Sequence, residues 1–309
     1  MFLLDWLTDT DPAIRWQVLR DLRDADVRTI AAERAQVAEH GWGANLLRLQ
    51  RETGDWGSAE DDPAWSTTLF TLLLLREFGV DPQADAVRTA VARVRENVRF
   101  EWTPTDSSPL FDGEVEPCIN GMALRVASYF GEIGPATERL VDRLLADQLE
   151  DGGWNCEAPH NSVRSSFAST LAVLEGLLEY ERAVGPDPTV TAARVRGEEY
   201  LLERRLFRSL STGEIVNPEW LEFSFPPRWD YDVLRALDYL RESRPPDDRC
   251  GEAVQLLLDK RDSEGRWAVE NDRDGELFFA LDDGDSEPSR WNTLRALRVL
   301  RWWEQGARD

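Results

Sequence analysis

Lysine is almost missing from this 309-residue chain: of 36 Lys and Arg residues, only Lys260 is lysine. Such a bias reads as codon usage or salt adaptation rather than as chemistry. Positive charge as a whole is short, 36 against 59 Asp and Glu, for a net charge of −23. That field repels phosphate backbones, so no nucleic-acid partner is expected. Cysteine is scarce. Cys118, Cys156 and Cys250 cannot build a disulfide scaffold, and a reducing, cytoplasmic setting is the expectation. Histidine occurs twice, at His40 and His160. No long apolar run exists. The best, Leu69 to Leu75, is interrupted by Thr71, far short of the ~18 residues of a transmembrane segment. Asp5 and the lack of a basic flank argue against a secretory signal at the N-terminus. What the chain does have is a hydrophobic fraction of 42%, enough for a sizeable core, and 13 tryptophans, which need a reason.

The tryptophans mark a repeat. Leu46-Leu47-Arg48-Leu49-Gln50 runs on to Gly54-Asp55-Trp56, Leu144-Leu145-Ala146-Asp147-Gln148 to Gly152-Gly153-Trp154, and Leu256-Leu257-Leu258-Asp259-Lys260 to Gly265-Arg266-Trp267. Each reads as a helix end, a glycine turn and an indole. Weaker copies lie at Val94 to Trp102 and Leu201 to Trp220, giving a period of roughly fifty residues and about five units. A second helix follows each copy, with Ser66, Asn120, Ser166, Asp230 and Asn292 as candidate N-caps. Apolar residues recur at three and four, the helical period, and none of these runs alternates as a strand would. Turns from a second helix to the next unit are short, as at Gly79 to Pro82. Connections inside a unit run from about eight to about twenty-four residues, so one end of the hairpin series carries the long loops on which sites usually sit.

The Gln-x3-Gly-x-Trp strings at Gln50 to Trp56 and Gln148 to Trp154 resemble the glutamine-tryptophan repeat of squalene and oxidosqualene cyclases, whose α/α-toroid architecture prenyltransferase β subunits share. The resemblance spans about residues 42 to 303 and weakens at Lys260 to Trp267, which has no Gln and one extra residue. It implies an all-α fold: a single α/α toroid of about five helical hairpins over 42–309, with an N-terminal helical cap over 1–41. It also implies a glutamine tying each helix end to the next turn while the indole stacks. The Asp-x-Asp-Asp string with which class II terpene cyclases protonate their substrates is missing. Glu60-Asp61-Asp62 and Asp282-Asp283-Gly284-Asp285 do not match its spacing and read as solvated acidic loops.

Aligning the five candidate caps places Arg164, Arg228 and Arg290 two residues before theirs, and Trp65, Trp229 and Trp291 one before. Two readings of the arginines stand. They form salt bridges with neighbours such as Glu157, Asp230, Asp282 and Asp283. Alternatively they form a clamp for an anionic ligand, aided by helix N-termini. Cys118 shares the rim position in its unit, Cys156 and His160 lie in the next long loop, and Asp112, Glu114 and Glu116 precede Cys118. Two thiols, an imidazole and a carboxylate are a tetrahedral zinc set, with buried structural cysteines as the alternative. The resembled families use similar sets: prenyltransferase β subunits hold zinc on Asp, Cys and His, and lanthionine-forming cyclases on Cys, Cys and His. Asn292 falls near the position of the prenyltransferase zinc histidine. The expected function is that of a terpene-cyclase-like or prenyltransferase-like enzyme. Its substrate would be an apolar, isoprenoid-like molecule with an anionic end, bound by the arginines, the three tryptophans and Asn292. The alternative is a non-catalytic toroid module for a peptide, protein or lipid. Whether a partner subunit is needed is left open.

Overall fold

The computed structural model describes residues 3–58, 63–103, 106–271, 278–281 and 287–306. The acidic strings at Glu60 to Asp62 and Asp282 to Asp285 lie outside them. The chain opens with α1 (Leu3–Thr8), α2 (Pro12–Asp21) and α3 (Val27–Ala35). Among the described residues ten helices follow, in chain order five successive pairs. They are α4 (Gly41–Leu49) with α5 (Ala64–Phe78), α6 (Asp85–Asn97) with α7 (Pro117–Tyr129), α8 (Pro135–Ala146) with α9 (Phe167–Val184), α10 (Pro188–Glu203) with α11 (Val233–Ser243), and α12 (Gly251–Asp259) with α13 (Arg290–Gly306). Among the described residues strand forms two antiparallel ladders inside long connections: β1 (Arg99–Thr103) with β2 (Asp106–Pro109), and β3 (Trp267–Ala268) with β4 (Pro288–Ser289). Among the described residues no helix is long and apolar enough to cross a membrane.

The repeat has a concrete hydrogen-bond logic. The indole N–H of Trp56 donates to the carbonyl of Leu46, that of Trp154 to Leu144 and that of Trp267 to Leu257, each at 2.7 Å. In every case the acceptor lies ten residues back, near the end of the preceding helix, where carbonyls lack intrahelical partners. The indoles are at most 4% exposed. Burying ~200 Å² of ring contributes about 5 kcal/mol each before entropy. The glutamines do the second job. Gln50 Nε2 donates to the carbonyls of Gly54 and of Ala90 in α6, both at 2.9 Å. Gln148 Nε2 donates to Gly152 at 2.6 Å and to Ala193 in α10 at 2.8 Å. Each thus closes its own turn and fastens the helix of the next hairpin. Gly152, at φ 97°, supplies the left-handed backbone that the turn requires. In the third copy Lys260 replaces the glutamine and pairs with Glu270.

The described chain forms two compact units, Met1–Arg34 with Leu201–Asp309, and Ala35–Tyr200. In the first, the two chain ends are joined: Arg298 of α13 donates to Gln17 of α2 at 2.8 Å and pairs with Asp21 at 3.3 Å, and Arg301 pairs with Asp24 at 2.7 Å. In the second, α7 and α9 touch backbone to backbone. A Cβ on Gly121 would sit 2.6 Å from the carbonyl oxygen of Ala172, so only glycine fits there.

The helix starts differ from those expected. Only Ser166 caps as anticipated, accepting from the Ser169 N–H at 3.1 Å. The cap of α11 is Asp232 rather than Asp230, and that of α7 is Glu116, ahead of a proline at the first helical position. α5 starts after Pro63, and Ser66 lies inside it. α13 starts at Arg290, after Ser289, whose hydroxyl accepts from the Asn292 N–H at 3.0 Å.

Candidate functional site

The long connections all lead into the N-termini of the second helices of the hairpins. At that end, within the unit Ala35–Tyr200, α7 and the loop between α8 and α9 bring two cysteines together. Cys118 sits in the first turn of α7, and Cys156 lies two residues after Trp154. Their sulfurs are 2.7 Å apart and share a hydrogen bond. Trp154 fixes this loop: it forms a bridge to Ser166, and its N–H donates to Thr170 Oγ1 of α9 at 3.0 Å. Close α7–α9 packing then sets Cys118 against it.

Polar groups surround the pair. Glu116 Oε2 is 3.7 Å from Cys118 Sγ, and one oxygen of Glu116 lies within 4.8 Å of both sulfurs. Ser169 Oγ is 3.3 Å from Cys156 Sγ. The bond from Cys118 holds the Cys156 thiol below its ordinary value; desolvation opposes this and Ser169 adds to it. The same sulfur–sulfur bond, with burial and the nearby Glu116, pushes Cys118 up. One of the two thiols therefore ionises ahead of the other. Two residues before Glu116, Glu114 is 5% exposed, its carboxyl raised by burial. It accepts from the backbone N–H groups of Val115 and Glu116, which positions Glu116.

His160 is exposed and stands outside this group. Cys250 is buried at the start of α12, and desolvation pushes its thiol up to about 12. The remaining rim residues are scattered over the two units. In Ala35–Tyr200, Arg164 is exposed in the loop before α9, and Trp65 packs on Phe100 with ring centroids 4.9 Å apart. In the other unit, Arg290 stands over the Trp6 ring at 4.8 Å. Trp229 is 38% exposed. Arg228 has φ 41°, and Arg235 steadies the segment by donating to the carbonyls of Arg228 at 3.4 Å and Asp230 at 2.7 Å. Trp291 is 1% exposed and stacks on Phe225 at 4.4 Å. Asn292 is fully buried: its Nδ2 donates to the carbonyls of Ala268 and Phe223, and its Oδ1 accepts from Arg295.

Two groups were not anticipated from sequence. Ser169 has no motif around it, although its place one turn into a capped helix is a position that faces a loop. The arginines Arg235 and Arg295, which no motif singles out, are each 5% exposed. Arg295 approaches Asp232 at 4.0 Å and Asp238 at 3.9 Å and donates to the Ser224 carbonyl at 3.0 Å.

No protein-family model and no curated protein matches the chain. Solved structures do. A family 88 glycosyl hydrolase from Bacteroides vulgatus is similar at 10% identity, over 96% of this chain and 93% of that one, with a TM-score of 0.50. The type II terpene cyclase MstE from Scytonema is similar at 15% identity, over 96% and 86%, with a TM-score of 0.46. A variant of that cyclase in complex with its substrate geranylgeranyl dihydroxybenzoate is similar at 16%, over 98% and 88%, with a TM-score of 0.44. The chain has the all-α, α/α-toroid fold. At these identities the likeness concerns fold alone, and chemistry has to be argued from the residues.

Proposed function

We propose that the protein is an α/α-toroid enzyme whose loop end carries a thiolate zinc centre, with Cys118, Cys156 and Glu116 as its ligands. The observation behind this is the meeting of two soft sulfur donors and a carboxylate from separate segments within 4.8 Å. Sulfur and oxygen donors in that combination suit zinc. With His160 outside the group, the described residues offer three ligands there, the number typical of catalytic zinc sites. Bound zinc supplies a Lewis acid and a stabilised thiolate or water. The chain's own part is to hold the sulfurs close, to steady Cys156 through the Ser169 hydroxyl, and to aim Glu116 through the buried Glu114. The substrate class we assign is an apolar, isoprenoid-like molecule with an anionic end. Arg164, exposed in the loop before α9 of the same unit, is the cation to receive that end.

One observation favours the second reading, a toroid that binds without chemistry. Ion pairs link α5, α7 and α9: Arg76 to Glu179 at 2.6 Å, and Arg125 to Glu77 at 2.9 Å and Glu175 at 3.0 Å. A long apolar chain finds less room beside such a layer. Thermal melts with isoprenyl diphosphates, and with terpenoid acids as a second series, separate the readings. The enzyme reading expects a rise in Tm that is lost in Arg164→Ala. Unchanged melting across both series would set the isoprenoid assignment aside and leave the binding module.

A further inference from the structure

We propose that Cys118 and Cys156 form a peroxide-sensitive dithiol, which a hydroperoxide converts into an intramolecular disulfide. The inference stands on the sulfur pair alone and does not need the zinc reading.

Geometry comes first. The sulfurs are 2.7 Å apart. A disulfide spans about 2.0 Å, so the pair closes by less than ~1 Å to oxidise. Two sulfurs bound to one tetrahedral zinc, at about 2.3 Å each, stand about 3.8 Å apart, so the pair must open by ~1 Å to chelate. The separation of 2.7 Å is nearer the disulfide distance than the metal-bound one. Access is also present, because both thiols are only partly buried whereas Cys250 is buried. Cys250 is consequently an internal control in the same chain.

The two sulfurs have distinct surroundings. Cys156 sits in a loop, with the Ser169 hydroxyl at 3.3 Å from its sulfur. Cys118 is carried by the first turn of a 13-residue helix. We assign Cys156 as the attacking sulfur and Cys118 as the resolving one. The Cys156 thiolate attacks the O–O bond; an S–O bond forms, the O–O bond breaks, and the leaving oxygen departs as water or an alcohol after taking a proton. The Cys118 sulfur then attacks the sulfenic sulfur; the S–S bond forms, and the hydroxyl leaves as water with the Cys118 proton. Two thiols and one hydroperoxide give one disulfide, one water and one water or alcohol, with two electrons passing to the peroxide. A thiol reductant reverses the change. Oxidation removes both sulfur donors of the proposed metal centre and ties the start of α7 to the loop after α8.

The test uses the full-length reduced protein, treated with stoichiometric hydrogen peroxide in two arms, metal-stripped and zinc-loaded. In the stripped arm the thiol count under denaturing conditions should fall from three to one. Peptide mapping should find Cys118 joined to Cys156 and Cys250 free, and dithiothreitol should restore all three. In Cys118→Ser, Cys156 should stop at a sulfenic acid that dimedone traps. In Cys156→Ser, oxidation of the remaining pair-member should be much slower. Protection in the zinc arm supports both proposals. A chain that oxidises in this way yet retains no zinc sinks the metal reading and leaves this one standing. Survival of all three thiols in the stripped arm, oxidation of Cys250 at the same rate as the pair, or a terminal sulfinic acid without the cross-link would each overturn the dithiol.

Discussion

Arg76 of α5 meets Glu179 of α9 at 2.6 Å, although 103 residues separate them in the chain and α7 lies between in sequence. Their side chains are 12% and 10% exposed, so this pair is largely out of water. A buried pair adds little over a well-packed apolar pair, but breaking it strands a charge. Glu179→Gln should therefore lower stability by about 3 kcal/mol, and the double change Arg76→Met with Glu179→Leu by much less. Urea unfolding of the two variants checks this. Equal losses would mean that the pair is solvated.

The glutamine of the repeat should matter through its two acceptors. Gln148→Ala removes bonds to Gly152 and Ala193 and leaves both carbonyls short of a donor. The expected cost is about 1–3 kcal/mol. Lys260→Ala in the third copy, where the side chain pairs with Glu270 instead, should cost less. A reversed order in thermal melts would remove the glutamine's fastening role.

Acid should weaken the unit that joins the chain ends. Burial alone would raise the Asp238 carboxyl, but Arg298 and Arg241 outweigh it and hold it below 3.8. A carboxyl depressed by folding contributes stability that is fully present above its unfolded value and is lost as pH falls through the folded one. Between pH 7 and 5 the wild type should therefore change little through this group, and below about pH 4 it should lose stability steadily. Asp238→Asn should be less stable at pH 7 and flatter in acid. Parallel curves of unfolding midpoint against pH for the two proteins would show that Asp238 is not a source of the acid limb.

Helix-level features were legible in the sequence, because glycine turns, indoles and apolar periodicity act locally. Side-chain facing was not. Asn120 reads as a cap, but Glu116 and Pro117 start the helix first, and Asn120 instead exchanges bonds with the backbone of Glu114, accepting at 2.7 Å and donating at 3.0 Å. Moving the caps moves the arginines: Arg164 lies two residues before Ser166, Arg228 four before Asp232, and Arg290 is the first residue after Ser289. The three are not at one register. His160 shares a loop with Cys156, yet its position four residues on carries it to the surface, since no helix governs the spacing there. Arg295 is buried among partners distant in sequence, Asp232, Asp238 and the Ser224 carbonyl, whereas Arg235 donates to carbonyls five and seven residues back, at Asp230 and Arg228.

Zinc content across a set of ligand variants tests the central claim most directly. Reduced, full-length protein reconstituted with zinc and freed of excess metal should retain close to one equivalent. Cys118→Ser and Cys156→Ser should lose it, Glu116→Gln should bind more weakly, and His160→Ala should keep it in full. A reduced, folded wild type that retains no zinc, or one whose zinc departs with His160→Ala and stays with Glu116→Gln, would contradict the assignment.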